Sequence, residues 1–312
     1  MHVVSASRRT DIPAFHAQWF MNRIRAGSVK VVSPFGGRLF EVSLAPEDVL
    51  AIVFWTKDAA PLLPYLEDLR QKGHCFTFLY TVNNYPLIME PEVPELSHTV
   101  RVLEKLVKEF PSGPVRWRYD TIVLSGSLNR RWHMENFRTL SGVMAPFTSE
   151  CIFSFCDYYR KTVKSMEATV PDYERPEETL CRDMAGEMAE IASDHGISFA
   201  SCAHDYLVSG KVSKARCIDP VALANVVDTP RRAAALGRLK YSPTRKECGC
   251  AESKDIGAYD TCAHGCVYCY ANSDPALAAK NLALIRPDSE CLHPRWERYR
   301  ANGVVPEPRG GE

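Results

Sequence analysis

Apolar positions along most of the chain follow two alternating rhythms. The continuous apolar run at residues 50–55, repeated at 75–82, predicts strands buried on both faces, and residues 2–6, 115–119, 152–155 and 197–201 predict further short strands. Between them, apolar residues recur three and four positions apart. In 96–110, Leu103, Leu106, Val107 and Phe110 share one helical face, and in 177–195 Leu180, Met184, Met188 and Ile191 share another. Residues 61–71, 131–144 and 275–284 predict further helices. Another, opened by Asp11 and Pro13, carries Phe15, Trp19 and Phe20 until Gly27 stops it. Residues 29–32 and 39–42 predict a hairpin over Gly36-Gly37.

Strands separated by helices imply parallel crossovers. The expected fold class is therefore α/β, a partial or complete parallel (β/α) barrel whose working face lies at the strand C-termini. Polar and ionisable residues do recur just past the proposed strands: Ser7-Arg8-Arg9-Thr10-Asp11, Thr56-Lys57-Asp58, Asn83-Asn84, Asp120, Cys156-Asp157-Tyr158-Tyr159 and Cys202-Ala203-His204-Asp205. Residues 1–245 would form the barrel, 246–286 a cysteine-rich segment that completes it, and 287–312 an extended tail.

Composition narrows the function. With 46% apolar and 24% charged residues the chain reads as an ordinary globular protein, and Lys plus Arg (38) balance Asp plus Glu (38), so no net field favours nucleic acid or an anionic membrane. No run approaches the roughly 18 apolar residues of a membrane span. The N-terminus lacks the ordering of a secretory signal, and the expected compartment is the cytoplasm. Twelve cysteines there argue for metal binding over disulfides. Eight of them, Cys202, Cys217, Cys248, Cys250, Cys262, Cys266, Cys269 and Cys291, fall from residue 202 onward.

The densest signal is Asp260-Thr-Cys262-Ala-His-Gly-Cys266-Val-Tyr-Cys269-Tyr-Ala-Asn272. Three cysteines at this spacing suit one face of a [4Fe-4S] cluster and leave the fourth iron open. A zinc site is the alternative, with Cys248-Gly-Cys250 supplying the other pair of thiolates. Cys202, Cys217, Cys248 and Cys250 are candidate ligands of a second centre, an Fe-S cluster or a zinc. The plainer reading is that Cys202 and Cys217 are core cysteines.

Arg9 and Asp11 suit an anion and an amine or ribose hydroxyl, although Asp11 is equally a helix cap. Lys57, Arg116, Arg118, Asp120 and Asp157 suit either an anionic ligand or simple ion pairs. Arg8, Arg9, Arg116 and Arg118 with nearby aromatics raise a nucleic-acid substrate, which the balanced charge disfavours.

The cysteine spacing, with Tyr268 just before the third cysteine, resembles the radical S-adenosylmethionine (SAM) superfamily. That resemblance implies that Cys262, Cys266 and Cys269 hold the cluster, that SAM binds the open iron with Tyr268 near its adenosine, and that reductive cleavage of SAM yields a radical that abstracts hydrogen from substrate. A reductant such as flavodoxin or ferredoxin is implied, and the substrate, small molecule or macromolecule, is not. Most of the chain resembles an uncharacterised bacterial family with such a C-terminal cysteine loop, through Ser5 to Pro13, Val53 to Lys57, Trp117 to Asp120, Cys248 to Cys250 and the loop itself. The chain departs from the superfamily pattern in its late cysteine loop and in lacking a Gly-Gly-Glu segment. A circularly permuted radical-SAM-type barrel accounts for the first departure: a strand at 256–259, the cysteines and the helix 275–284 would then form a unit lying beside residues 2–6. The alternative function is a structural or electron-transfer iron-sulfur or zinc protein that cleaves no SAM.

Overall fold

The computed structural model describes residues 1–34, 36–111 and 115–303. Its centre is an eight-stranded sheet of β1 (His2–Ala6), β2 (Val49–Thr56), β3 (Phe76–Thr81), β4 (Val115–Ile122), β5 (Glu150–Phe155), β6 (Ser198–Ser201), β7 (Val212–Lys214) and β8 (Lys254–Asp255). All seven ladders are parallel. The spatial order is β8-β1-β2-β3-β4-β5-β6-β7, so every strand neighbours its chain neighbour except the last, which returns to lie beside the first.

Side chains alternate across the sheet, and each face has its own core. Val4, Ala6, Phe54, Phe78, Trp117, Phe153 and Phe199 join one large cluster with Trp19, Phe20, Phe137 and Met188 of the helices. Val3, Val53, Trp55, Leu79, Ile152 and Ala200 join a second cluster, which also holds Cys202, Cys217, Cys248 and Cys250. Because β2 is buried at all eight positions, its sequence is a continuous apolar run.

The predicted hairpin forms, with Ser28–Val32 antiparallel to Leu39–Ser43. The first predicted helix is two, Ile12–Phe15 and Ala17–Ala26, divided at His16, and Gly27 ends the second at φ 75°. The strand expected at 256–259 is instead Lys254–Asp255, pairing Val4 with Lys254 and Ser5 with Asp255. Residues 287–303, expected to be extended, fold back: Trp296–Asn302 is a 3-10 turn, and Cys291, Leu292 and Trp296 are buried, with Leu39 beside Cys291 and Trp296. Positions 304–312 of that tail lie outside the described residues. No helix among the described residues is long and apolar enough to cross a membrane.

Candidate functional site

The C-terminal ends of β1, β2, β4 and β5 carry polar side chains on the face that bears Val3, Val53 and Ile152. Asp255 of β8 ties them to the sheet edge. Its Oδ1 accepts from Ser7 Oγ (2.7 Å) and Gly257 N (3.1 Å), and its Oδ2 from Ser5 Oγ (2.8 Å) and Arg8 N (2.8 Å). Arg9 Nε lies 3.9 Å away. Burial alone would raise the Asp255 carboxyl, but Arg9, Arg8 and these donors hold it below the usual carboxylate range.

Above Asp255, the Trp55 ring is flanked by Arg8 and Arg118, each guanidinium carbon 4.9 Å from the ring centroid. Arg118 pairs with Asp120, which also accepts from Ser154 Oγ. Arg8 Nη2, Trp55 Nε1 and Arg118 Nε are buried without a hydrogen-bond partner. Three unmatched donors gathered at one place suit an anionic ligand such as a carboxylate or phosphate.

The cysteine loop leaves β8 and is fastened on two sides. Toward β1, His16 Nε2 donates to Thr261 O (3.0 Å), and His264 Nε2 lies 2.8 Å from Asp11 Oδ2. Toward the segment after β3, Val267 N donates to Met89 O (3.0 Å) and Glu92 N to His264 O (3.1 Å). Gly265 turns the loop at φ 69°, with Pro91 3.6 Å from where a Cβ would stand. Asn272 Nδ2 donates to Cys262 O (2.7 Å), and Asp274 caps the helix Pro275–Leu284 that follows.

Beneath the loop is a buried ion pair. Lys57 Nζ lies 2.6 Å from Glu90 Oε1, and that carboxylate also accepts from Asn83 Nδ2 (3.1 Å) and from the Tyr268 hydroxyl. Burial would lower the Lys57 ammonium pKa, but Glu90 and Cys266 outweigh it and the value is raised. A cleft of about 250 Å³ opens beside this pair, lined by Lys57, Asn83, Tyr85 and Glu90.

Cys262, Cys266 and Cys269 are half-buried, whereas all nine other cysteines are buried. Cys262 lies against Asp11, and burial pushes its thiol up to about 12. No three His, Cys, Asp or Glu side chains among the described residues already converge tightly enough to hold an ion. The donor set nonetheless fits an iron-sulfur cluster: three thiols on one loop at an open position, beside the lysine that interacts with Cys266.

Most of the predicted residues thus gather at the C-terminal end of the strands, with particular partners, while Arg116 stands at the start of β4 and Cys291 apart. Asp11 is saturated, capping Ile12–Phe15 through Ala14 N and accepting from Thr56 Oγ1 (2.8 Å), Lys57 N (2.7 Å) and His264. Arg9 faces Asp255 and Gly257 O, and Tyr268 is committed to Glu90. Arg116 pairs with Glu150 and donates to the carbonyls of Arg216 and Cys217, while Asp157 pairs with Arg245. Cys291 stands in a separate cluster beside Trp296. Glu90 and Asp255 were not singled out in the sequence: Glu90 lies in a proline-rich loop, and Asp255 belongs to a strand with no apolar residue.

These features define an α/β protein whose parallel sheet carries a three-cysteine loop at the C-terminal end of its last strand. The chain belongs to the family described as "Domain of unknown function (DUF1848)", whose model matches residues 3–271 and so takes in all eight strands but for His2, and all three loop cysteines. No curated protein and no solved structure matches the chain.

Proposed function

We propose that this protein is an iron-sulfur enzyme of the radical SAM kind, with Cys262, Cys266 and Cys269 holding a [4Fe-4S] cluster whose fourth iron takes SAM. The observation that carries the reading is the half-buried set of three thiols on one loop, set against nine buried cysteines elsewhere. When bound, the cluster supplies the electron that splits SAM to methionine and the 5′-deoxyadenosyl radical, which takes hydrogen from a substrate.

In this reading the sheet curves into a partial barrel, circularly permuted so that strand, cysteine loop and helix come last in the chain yet lie beside β1. The juxtaposition of β8 with β1, and of His264 with Asp11, supports it. Lys57, Glu90 and Tyr268 hold the loop's underside, and His264 and Asp11 its flank. Arg8 and Arg118, each with an unmatched buried nitrogen, receive the carboxylate of SAM or an acidic group of the substrate. Flavodoxin or ferredoxin is the class of reductant expected.

Anaerobic reconstitution with iron and sulfide, followed by chromatography for 5′-deoxyadenosine after adding SAM and dithionite, tests the proposal. Wild type should release 5′-deoxyadenosine and the variant C266A none. Equal release by both, or none by an iron-loaded wild type, would reject it.

A further inference from the structure

Four of the nine cysteines outside the loop gather on the face of the sheet that carries Val3, Val53 and Trp55. Cys202 directly follows β6, Cys217 lies three residues past β7, and Cys248 and Cys250 precede β8. All four are buried in one apolar cluster. Cys202 Sγ and Cys217 Sγ are 3.6 Å apart. Cys250 Sγ accepts from Ile218 N (3.5 Å) and Cys248 Sγ from Thr244 Oγ1 (3.5 Å), the acceptor role that suits a metal-bound thiolate. Gly249 lets this segment approach, because a Cβ there would stand 3.0 Å from Ala215 O.

We propose that Cys202, Cys217, Cys248 and Cys250 bind a single zinc ion, with four thiolates in tetrahedral array, and that the ion clamps the β6 and β7 end of the sheet to the segment entering β8. The sulfur separation favours one ion over a second cubane. Zinc-sulfur bonds of about 2.3 Å at tetrahedral angles set neighbouring sulfurs about 3.8 Å apart, close to the observed pair. A cubane instead places each cysteine sulfur on its own iron, and so farther apart. Binding displaces the four thiol protons and draws Cys248 and Cys250 in toward the Cys202–Cys217 pair by side-chain rotation.

A four-thiolate zinc centre carries two net negative charges, and a buried one needs compensation. Arg245 Nη2 lies 3.9 Å from Cys202 Sγ, and the guanidiniums of Arg8 and Arg118 face the same group of sulfurs. The segment after β7 and the segment before β8 already touch here, as Ala251 N donates to Ile218 O (3.0 Å). A metal at this point would fasten these two segments together and fix Arg8 and Arg118 on either side of Trp55.

The site is independent of what the loop holds, so the test starts from the full-length triple variant C262A/C266A/C269A, purified anaerobically. Elemental analysis should find one zinc per chain and no acid-labile sulfide, with a zinc X-ray absorption shell of four sulfurs. Stoichiometric iron with sulfide in this variant would overturn the proposal in favour of a second cubane. No metal at all, or a Cys202–Cys217 disulfide, would overturn it outright. Adding C217S should lower zinc content at least tenfold. Should that further variant fail to fold, cobalt added to the chelator-stripped triple variant supplies the readout: intense visible bands with thiolate-to-cobalt charge transfer support four-sulfur ligation, and weak octahedral-type absorption rejects it.

Discussion

Replacing Asp255 by asparagine removes one oxygen and one charge from the point where the last strand joins the first. The carboxylate now accepts four hydrogen bonds, two per oxygen. In either orientation the new amide nitrogen faces one serine hydroxyl, which can turn and accept, and one backbone N–H, of Arg8 or Gly257, which cannot. One buried donor then goes unsatisfied, at about 1–3 kcal/mol, and Arg8 and Arg9 lose their counter-charge. Together these put D255N near the 3–5 kcal/mol typical of breaking a buried ion pair.

In urea unfolding of metal-free protein followed by circular dichroism, such a loss lowers the midpoint by about 1 M or more, given slopes of a few kcal/mol per M. The folded pKa of Asp255 is depressed, so its stabilisation is complete above the unfolded value of about 3.9 and disappears as pH falls through the folded value. Wild type and D255N should therefore converge in stability as pH falls through the depressed folded value. A D255N midpoint unchanged at pH 7 would refute the view that this carboxylate fastens β8 to β1.

Gly257→Ala should cost about 3 kcal/mol or more in the same assay, because a Cβ would stand 2.0 Å from Ser7 Oγ and 2.6 Å from Ser7 Cβ, both buried; a neutral result would mean the β1–β8 junction is looser than described. Lys57→Met strands the Glu90 carboxylate and should destabilise by about 3–5 kcal/mol, with the double variant K57M/E90L recovering part of the loss in a double-mutant cycle. His16, His74 and His133 are buried with pKa values lowered by burial to about 4, so the unfolded chain binds more protons below its ordinary value near 6.5. Stability should fall as pH drops from about 6.5 to 4, by about 3–4 kcal/mol per pH unit near pH 5. A flat profile over that window in urea titrations would show that these rings are protonated in the fold.

The sheet was legible where burial on both faces wrote itself as an apolar run, as in Val49–Thr56 and Phe76–Thr81. It was not legible at the edges. Val212–Lys214 is three residues long with two exposed, and Lys254–Asp255 is a strand of two charged residues whose pairing depends on the hydrogen bonds of Asp255, so the apolar stretch just beyond it looked like the strand. His16 divides a helix whose hydrophobic period runs on unbroken, because its ring bonds to Thr261 O, 245 residues away. The same distance hides Glu90: nothing in its local sequence announces the lysine 33 positions earlier or the tyrosine 178 later. The cysteine loop was readable because its three cysteines lie within one short stretch of chain, whereas the gathering of Cys202 and Cys217 with Cys248 and Cys250 depends on segments distant in sequence being brought together by the fold.

The central claim is that the loop cysteines hold a cluster with an open iron, and its most direct test is an electron paramagnetic resonance spectrum. Protein reconstituted anaerobically and reduced with dithionite is recorded with and without SAM, beside the variant C262A/C266A/C269A. The account predicts a reduced [4Fe-4S] signal in wild type that shifts when SAM is added, and no signal in the triple variant. A wild-type cluster signal indifferent to SAM, or a signal that survives loss of all three loop cysteines, would contradict it.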